Sequence, residues 1–258
     1  MAFFEKDNSR IYYETRGEQG PWLTLVNGYT RTHRDFKLIA KRLSEKNQVL
    51  IFDNRGSGST TTPPGFSIED MGKDIVDLWS HLGIRRSHLL GISMGGLIAQ
   101  FVAANFPDRV QFLILASTFA NPKWLNPSAE SPWGDSIESI SSKMSFYFSS
   151  SFHEKNKLLV QAMAKQILKA IEEGDFGDGA QDQRMAINSF NPDGQAQKIA
   201  APTLVIHGSE DRIVDVDAAH EISDLIPNCT LEIVEGAGHL LLAEYAKGLE
   251  TAIKNFII

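Results

Sequence analysis

Along this sequence, short apolar runs alternate with segments of helical period. The apolar runs have the length of strands and are mostly rich in Val, Ile and Leu: Ile11–Thr15, Trp22–Val26, Val49–Asp53, His88–Ile92, Val110–Ser117, Thr203–His207 and Leu231–Val234. Other segments carry apolar residues three and four positions apart: Phe36–Leu43, Glu69–Leu82, Leu97–Phe106, Ala218–Ile226 and Tyr245–Phe256. Because strands that are buried on both faces form continuous apolar runs, this alternation predicts an α/β fold with a mostly parallel central sheet and helices on both faces.

A break in the alternation predicts an insertion. After Phe119 the chain contains Asn-Pro and Ser-Pro turn sequences where another strand would be expected. From about residue 137 to residue 190 the apolar spacing is helical only, and strand signals return at Thr203. We therefore predict an all-helical lid over residues 120–195, inserted in a core formed by residues 1–119 and 196–258.

Composition and charge exclude several classes of function. The 258 residues are 42% hydrophobic and 22% charged, which is typical of a globular domain. A formal net charge of −7 repels phosphate backbones, so nucleic-acid binding is not expected. Cys229 is the only cysteine, so the chain forms no internal disulfide, which favours a reducing compartment. The charged N-terminus, with no apolar run near 18 residues, predicts a cytoplasmic protein without signal peptide or membrane span.

The sequence also lacks the motifs of cofactor and metal sites. Gly56-Ser57-Gly58 is the nearest match to a phosphate-binding fingerprint, but the helix and the acidic partner of that fingerprint are missing. The histidines and carboxylates show no helical two-His spacing with a third ligand. We therefore expect neither a cofactor nor a metal ion.

One motif carries nucleophilic chemistry. Gly91-Ile92-Ser93-Met94-Gly95 follows the apolar run His88–Ile92 and leads directly into the helical segment Leu97–Phe106. A serine in a G-x-S-x-G turn between a strand and a helix projects its hydroxyl into a cleft, and the two glycines allow the backbones to approach closely. The start of the helix directs its N–H groups and positive dipole end toward the same point. The alternative is a glycine-rich turn that Ser93 merely caps. We predict that Ser93 is the nucleophile.

A serine nucleophile needs a histidine base, which a carboxylate orients. His239 follows the last strand in a glycine-rich loop, and Asp211 follows the strand Thr203–His207, so both are expected at the same sheet edge as Ser93. Asp215 and Asp217 are alternatives, but they stand where a helix begins, which favours capping or exposure. We interpret His207 as a packed strand residue and His220 as a surface residue. The remaining histidines have no comparable placement: His33, His81, His88 and His153.

The order Ser93, Asp211, His239 resembles that of the α/β-hydrolase superfamily, over roughly residues 11–119 and 200–256. The segment 53–59, Asp-Asn-Arg-Gly-Ser-Gly-Ser, is similar to the D-x-R-G-x-G-x-S loop of this superfamily. The resemblance implies that this loop supports the site without a catalytic group, so Ser57 and Ser59 are not expected to be nucleophiles.

The same resemblance implies an oxyanion hole formed by the backbone N–H groups of Tyr29 and Met94. The chain departs from the family here, because Asn27-Gly28 stands where His-Gly is usual. Since main-chain groups bind the oxyanion, we expect the function to persist, with Asn27 bracing the loop.

The predicted chemistry is acyl transfer by a serine hydrolase, a carboxylesterase that cleaves small to medium esters. A serine nucleophile argues against the dehalogenase and epoxide-hydrolase branches of the family, which use an aspartate. The alternatives are a lactone hydrolase of the 3-oxoadipate enol-lactonase kind or a carbon–carbon bond hydrolase, and in a different class a ligand receptor on the same scaffold. Arg31, Arg34 and Arg184 could supply charge for a carboxylated substrate.

Bulky residues in or beside the lid are candidates for the substrate pocket, although packing between lid and sheet is the alternative for each. They are Tyr29, Phe119, Trp124, Trp133, Met144, Tyr147 and Phe148.

Overall fold

The computed structural model describes residues 2–126, 134–173 and 179–257. Within these residues, eight strands form one sheet in the order β1-β2-β4-β3-β5-β6-β7-β8. The strands are β1 (Ala2–Lys6), β2 (Ser9–Arg16), β3 (Trp22–Val26), β4 (Gln48–Phe52), β5 (Ser87–Ile92), β6 (Val110–Ala116), β7 (Thr203–Gly208) and β8 (Cys229–Val234). β1 and β2 are antiparallel to their neighbours, and β4, β3 and β5 to β8 are parallel to one another. The predicted fold class is confirmed.

Helices cover both faces of the sheet because its central strands are mostly apolar and are buried at almost every position. Leu23 and Leu25 of β3 face one layer, formed by α1 (Lys37–Leu43) and α10 (Ala246–Phe256). Leu50 of β4 and Leu89 of β5 belong to the opposite layer. Its helices are α2 (Ile68–His81), α3 (Met94–Asn105) and α8 (Asp217–Leu225).

α2 begins at Ile68, one residue before the predicted helical segment Glu69–Leu82. Ser67 and Asp70 form a reciprocal capping box, in which each side chain accepts a hydrogen bond from the backbone of the other.

Among the described residues between β6 and β7, the regular elements are all helices. They are α4 (Ile137–Lys143), α5 (Ser150–Lys155), α6 (Lys157–Glu172) and α7 (Gly179–Ser189), apart from short 3₁₀ turns. We call α4 to α7 the helical insertion. It has a small core of its own, formed by Ile140, Met144, Phe148, Val160, Ala164 and Ile167. The short helix α9 (Leu241–Glu244) follows β8 and precedes α10.

β1 was absent from the predicted strands. It forms a hairpin with β2 through Asp7 and Asn8, which both have positive φ, at 49° and 62°. Two central residues with positive φ define the type I′ turn that suits a two-residue hairpin, and Asx residues tolerate it. The Asp-Asn pair was the available signal, but the half-exposed strand before it has an apolar run of only three residues, Ala2–Phe4, before the charged Glu5 and Lys6.

Candidate active site

Ser93 occupies a sharp turn between β5 and α3. Its backbone has φ 54° and ψ −124°, a conformation that costs free energy in a residue other than glycine. Close packing enforces this turn. A Cβ atom on Gly91 would lie 2.4 Å from the carbonyl oxygen of Gly95, and one on Gly95 would lie 2.2 Å from that of Val26. Gly91 and Gly95 are therefore required because the neighbouring backbones leave no room for a Cβ atom at either position.

The structure brings the three predicted catalytic side chains together. His239 Nε2 lies 3.2 Å from Ser93 Oγ, and His239 Nδ1 lies 2.7 Å from Asp211 Oδ2. His239 is 5% exposed and Asp211 is 8% exposed, whereas Ser93 is half-buried. A proton on Nδ1 donates to the carboxylate, so Nε2 is left to accept the hydroxyl proton of the serine.

Asp211 is held as an ionised acceptor. Its Oδ1 accepts hydrogen bonds from the backbone N–H groups of Ile213 and Val214, at 2.8 and 2.9 Å. Burial by itself raises the pKa of a carboxyl. The charge and hydrogen bond of His239, together with a hydrogen bond from His207, nevertheless hold the pKa of Asp211 well below its ordinary value.

His207 contacts Asp211, which the sequence interpretation missed. It is fully buried in β7, as expected of a packed strand residue, but its Nε2 also lies 3.2 Å from Asp211 Oδ2 and 3.1 Å from the carbonyl oxygen of Val214. Because the oxygen of Val214 can only accept, Nε2 carries the proton. No periodicity signals this contact, since it depends on how the chain turns back after β7.

The alternative acids and serines lie elsewhere. Asp215 accepts a hydrogen bond from the N–H of Asp217 at the start of α8, as expected of a helix start. Ser57 Oγ is buried against the amide of Gln183, and Ser59 is exposed.

The loop after β3, residues 27–31, which we call the β3 loop, borders Ser93. Asn27 braces it, because its Oδ1 accepts from Gly28 N–H at 2.8 Å and its Nδ2 donates to the carbonyl of Thr32 at 2.8 Å. The N–H groups of Tyr29 and Met94 donate hydrogen bonds to no residue that the structure describes. For Met94 the reason is its place at the first turn of α3, where N–H groups have no partner inside the helix.

A cavity of about 770 Å³ lies over Ser93, between the sheet edge and the helical insertion. Of the predicted pocket residues, Tyr29, Phe119 and Tyr147 line it. The ring of Tyr147 lies 6.1 Å from that of His239, and burial raises the pKa of Tyr147 to about 12. Its hydroxyl therefore stays protonated at neutral pH.

Three predicted pocket residues lie outside the cavity lining. Met144 and Phe148 are at most 1% exposed in the core of the helical insertion, where Phe148 stacks on Phe152. Trp124 packs against the main core, and its Nε1 donates to Glu221 at 2.7 Å. Their apolar surface serves packing between elements. Trp133 is outside the described residues.

Charged residues line the cavity as well. Arg31, Arg184 and Lys143 contribute to its wall, together with Asp35. Arg31 and Asp35 form a two-point ion pair with distances of 2.6 and 2.7 Å. Arg31 and Arg184 were considered for such a role from the sequence, as was Arg34, which does not line the cavity; Lys143 was not.

The described parts of the chain contain no group of three His, Cys, Asp or Glu side chains able to hold a metal ion. Among those same residues, no helix has the length and apolar character to cross a membrane.

Comparisons with known proteins identify the family of the chain. The family model described as alpha/beta hydrolase fold matches residues 21–245. The chain is 29% identical to 3-oxoadipate enol-lactonase 2 of Acinetobacter baylyi, over 81% of this chain and 78% of that protein. It is 24% identical to the pimeloyl-[acyl-carrier protein] methyl ester esterase of Aliivibrio fischeri, over 96% of this chain and 97% of the esterase.

A solved structure shows the same fold. The enol-lactonase from Burkholderia xenovorans LB400 superposes with a TM-score of 0.84 at 23% identity, covering 99% of both chains. Since the family model spans most of the sequence, the chain belongs to the α/β-hydrolase family.

Proposed function

We propose that this protein is a serine hydrolase that cleaves small to medium carboxylic esters through an acyl-enzyme. The observation that carries the proposal is the continuous hydrogen-bonded chain from Asp211 through His239 to Ser93, which ends beneath a cavity of about 770 Å³. A serine hydroxyl becomes a competent nucleophile only beside such an oriented base. Cavities of this size suit small-molecule substrates.

The residues divide the reaction between them. As Ser93 Oγ attacks the carbonyl carbon, its proton passes to His239 Nε2, and Asp211 stabilises the imidazolium through Nδ1–H. The carbonyl oxygen gains negative charge, which the N–H groups of Tyr29 and Met94 bind. His239 then returns the proton to the departing alcohol. A water molecule, deprotonated by the same histidine, hydrolyses the acyl-enzyme and restores Ser93.

The proposal is tested with p-nitrophenyl esters from acetate to dodecanoate. We expect the wild type to turn over short or medium esters, with an optimum set by cavity size, and Ser93→Ala to be inactive. Ser59→Ala is the matched control, because Ser59 is exposed and does not line the cavity; it should keep full activity. Stoichiometric binding of the ester without turnover would contradict the proposal and favour a receptor.

A second candidate is a hydrolase of carboxylated substrates, either a lactone or a carbon–carbon bond substrate. The observation that favours it is the presence of Arg31, Arg184 and Lys143 in the cavity wall. Burial lowers the pKa of Lys143, and the positive charge of the neighbouring Arg184 lowers it further. Supporting this candidate, a curated relative is named as a 3-oxoadipate enol-lactonase.

The two candidates differ in the effect of charge removal. If the substrate carries a carboxylate, Arg184→Gln should raise KM at least about tenfold for an enol-lactone and leave neutral esters unchanged. Lys165→Gln removes the same charge from an exposed position on α6 and is the control. Equal effects of Arg184→Gln on neutral and anionic substrates would contradict this candidate.

A further inference from the structure

A buried glutamine joins the helical insertion to two loops at the sheet edge. Gln183 of α7 is 0% exposed. Its Oε1 accepts from the N–H of Thr30 in the β3 loop at 2.7 Å. Its Nε2 donates to the carbonyl of Arg55 at 2.6 Å and to Ser57 Oγ at 2.8 Å, both in the segment 53–59 after β4. One side chain therefore spans both loops.

The contact requires an amide. The acceptor end meets an N–H group and the donor end meets a carbonyl oxygen, so a side chain that only accepts or only donates leaves one end unpaired. Unpaired polar groups in a buried site cost free energy, since water cannot replace the lost partner. Gln183 thus fixes the distance and the orientation between α7 and the two loops.

The bond to Thr30 acts on the proposed oxyanion loop. Thr30 has φ 58°, a left-handed conformation that its surroundings must hold. Gly28 N–H is bound by Asn27 Oδ1 and Thr30 N–H is bound by Gln183 Oε1, at 2.8 and 2.7 Å. Tyr29 N–H lies between these two fixed peptides and has no acceptor in the described residues, so it remains for the substrate oxygen.

The start of α7 packs closely against the segment after β4. A Cβ atom on Gly56 would lie 2.6 Å from the carbonyl oxygen of Gly179, the first residue of α7, so the two backbones are in direct contact. Arg55 is fixed in turn by a two-point ion pair with Asp74 of α2, at 2.5 and 2.7 Å. Gln183 therefore connects α7 to the β3 loop and to the segment after β4.

We propose that Gln183 is a positioning residue that sets the geometry of the Tyr29 N–H and so couples the position of the helical insertion to stabilisation of the oxyanion. The inference rests on the proposed function. A loop that binds charge only in the transition state affects kcat, whereas substrate binding in the ground state affects KM.

The first test is Gln183→Met, which keeps the volume and removes all three hydrogen bonds. We expect kcat for a p-nitrophenyl ester to fall at least about tenfold, with KM changed less than about threefold. Affinity for a trifluoromethyl ketone, whose adduct with serine carries an oxyanion, should fall by the same factor as kcat. Ala186→Gly is the control, because it weakens α7 from a buried position outside the cavity lining. It should lower the melting temperature without lowering kcat.

The second test is Gln183→Glu, which also serves if the methionine variant fails to fold. A protonated carboxyl has a donor and an acceptor, like the amide, whereas the carboxylate has no donor. The kcat of this variant relative to wild type should therefore rise as the pH is lowered from 8 to 5.

The possible failures are distinguishable. A wild type that neither turns over esters nor binds the ketone overturns the proposed function, and this inference with it. If the wild type is active, the inference about Gln183 alone is overturned when Gln183→Met keeps its kcat, or when Ala186→Gly lowers kcat as much as Gln183→Met does. Where only Gln183→Glu folds, the inference is overturned if the kcat of that variant relative to wild type is independent of pH.

Discussion

At the scale of single residues, Asp211 shows how burial and hydrogen bonding together define a chemical role. Its carboxylate contacts two backbone N–H groups and the imidazoles of His207 and His239. A buried carboxylate is stable only when such donors compensate for lost water. The same donors keep the carboxylate of Asp211 ionised, so it accepts a hydrogen bond from His239 and holds the imidazole proton on Nδ1.

Asp211→Asn should therefore remove the carboxylate that orients the imidazole of His239, while the shape of the site is preserved. An amide can donate toward Nδ1 and favour the wrong tautomer, so we expect kcat to fall about 10⁴-fold. Asp215→Asn is the control, because Asp215 contacts the start of α8 and not His239. Steady-state ester hydrolysis by both variants is the measurement. Equal losses of kcat in the two variants would contradict the choice of Asp211 over Asp215.

His88 makes a separate prediction about stability. It is 1% exposed in β5, and neither ring nitrogen has a hydrogen-bond partner among the described residues. Burial, together with the charge of Arg86, lowers the pKa of His88 from 6.5 to about 4. The unfolded chain therefore takes up this proton at a higher pH than the folded chain does. The resulting stability is complete above pH 6.5 and is lost as the pH falls toward 4.

We expect the unfolding free energy of the wild type to fall by about 2 kcal/mol because of His88 when the pH is lowered from 7 to 5. His88→Phe, which packs against the same neighbour Phe112, should lose correspondingly less over that interval. Urea unfolding at both pH values measures the difference. His220→Gln, at an exposed position on α8, should behave like wild type. An unchanged pH dependence in His88→Phe would contradict the assignment.

At the scale of elements, the loops after the strands are less predictable than the strands. β3 has the bounds predicted for it, and the other predicted strands begin or end within two residues of those expected. Strand bounds follow from apolar runs that must fill a buried layer. The β3 loop depends on contacts that only the folded chain makes, including Asn54 Nδ2 donating to the carbonyl of Asn27 at 2.9 Å.

The bracing by Asn27 has a measurable consequence. Asn27→Ala removes three hydrogen bonds, to Gly28, Thr32 and Asp35, but leaves every proposed catalytic group in place. We expect kcat to fall about 10- to 100-fold as the loop loosens, much less than in Ser93→Ala. The measurement is kcat for ester hydrolysis by Asn27→Ala and Ser93→Ala, assayed in parallel. A loss as large as that of Ser93→Ala would show that Asn27 does more than brace.

At the scale of the whole molecule, strand order places the site. β4 lies on one side of β3 and β5 lies on the other, so the chain reverses its direction of travel across the sheet between these strands. Loops diverge at such a point and leave a crevice at the carboxyl ends of the strands. Ser93 follows β5 and the β3 loop follows β3, so both border this crevice. The helical insertion covers it; the predicted boundaries of a separate lid, residues 120–195, stay a prediction.

The proposed chemistry uses only side-chain and backbone groups. We therefore expect dialysis against EDTA to leave ester hydrolysis unchanged, measured before and after treatment at equal protein concentration. A mock dialysis without chelator is the control. Loss of activity that added Zn²⁺ or Mg²⁺ restores would contradict the mechanism, because it would reveal a metal-activated water in place of Ser93.

The amino-acid sequence was sufficient to predict the α/β class, most strand positions and the three candidate catalytic residues. These depend on local patterns: apolar runs, a turn that requires Gly91 and Gly95, and side chains placed just after strands. Long-range packing instead decides that Met144 and Phe148 lie inside the insertion, that His207 contacts Asp211, and that Gln183 spans two loops. Periodicity fixes which face of a helix is buried, but the neighbour on that face is set by packing among residues distant in the chain.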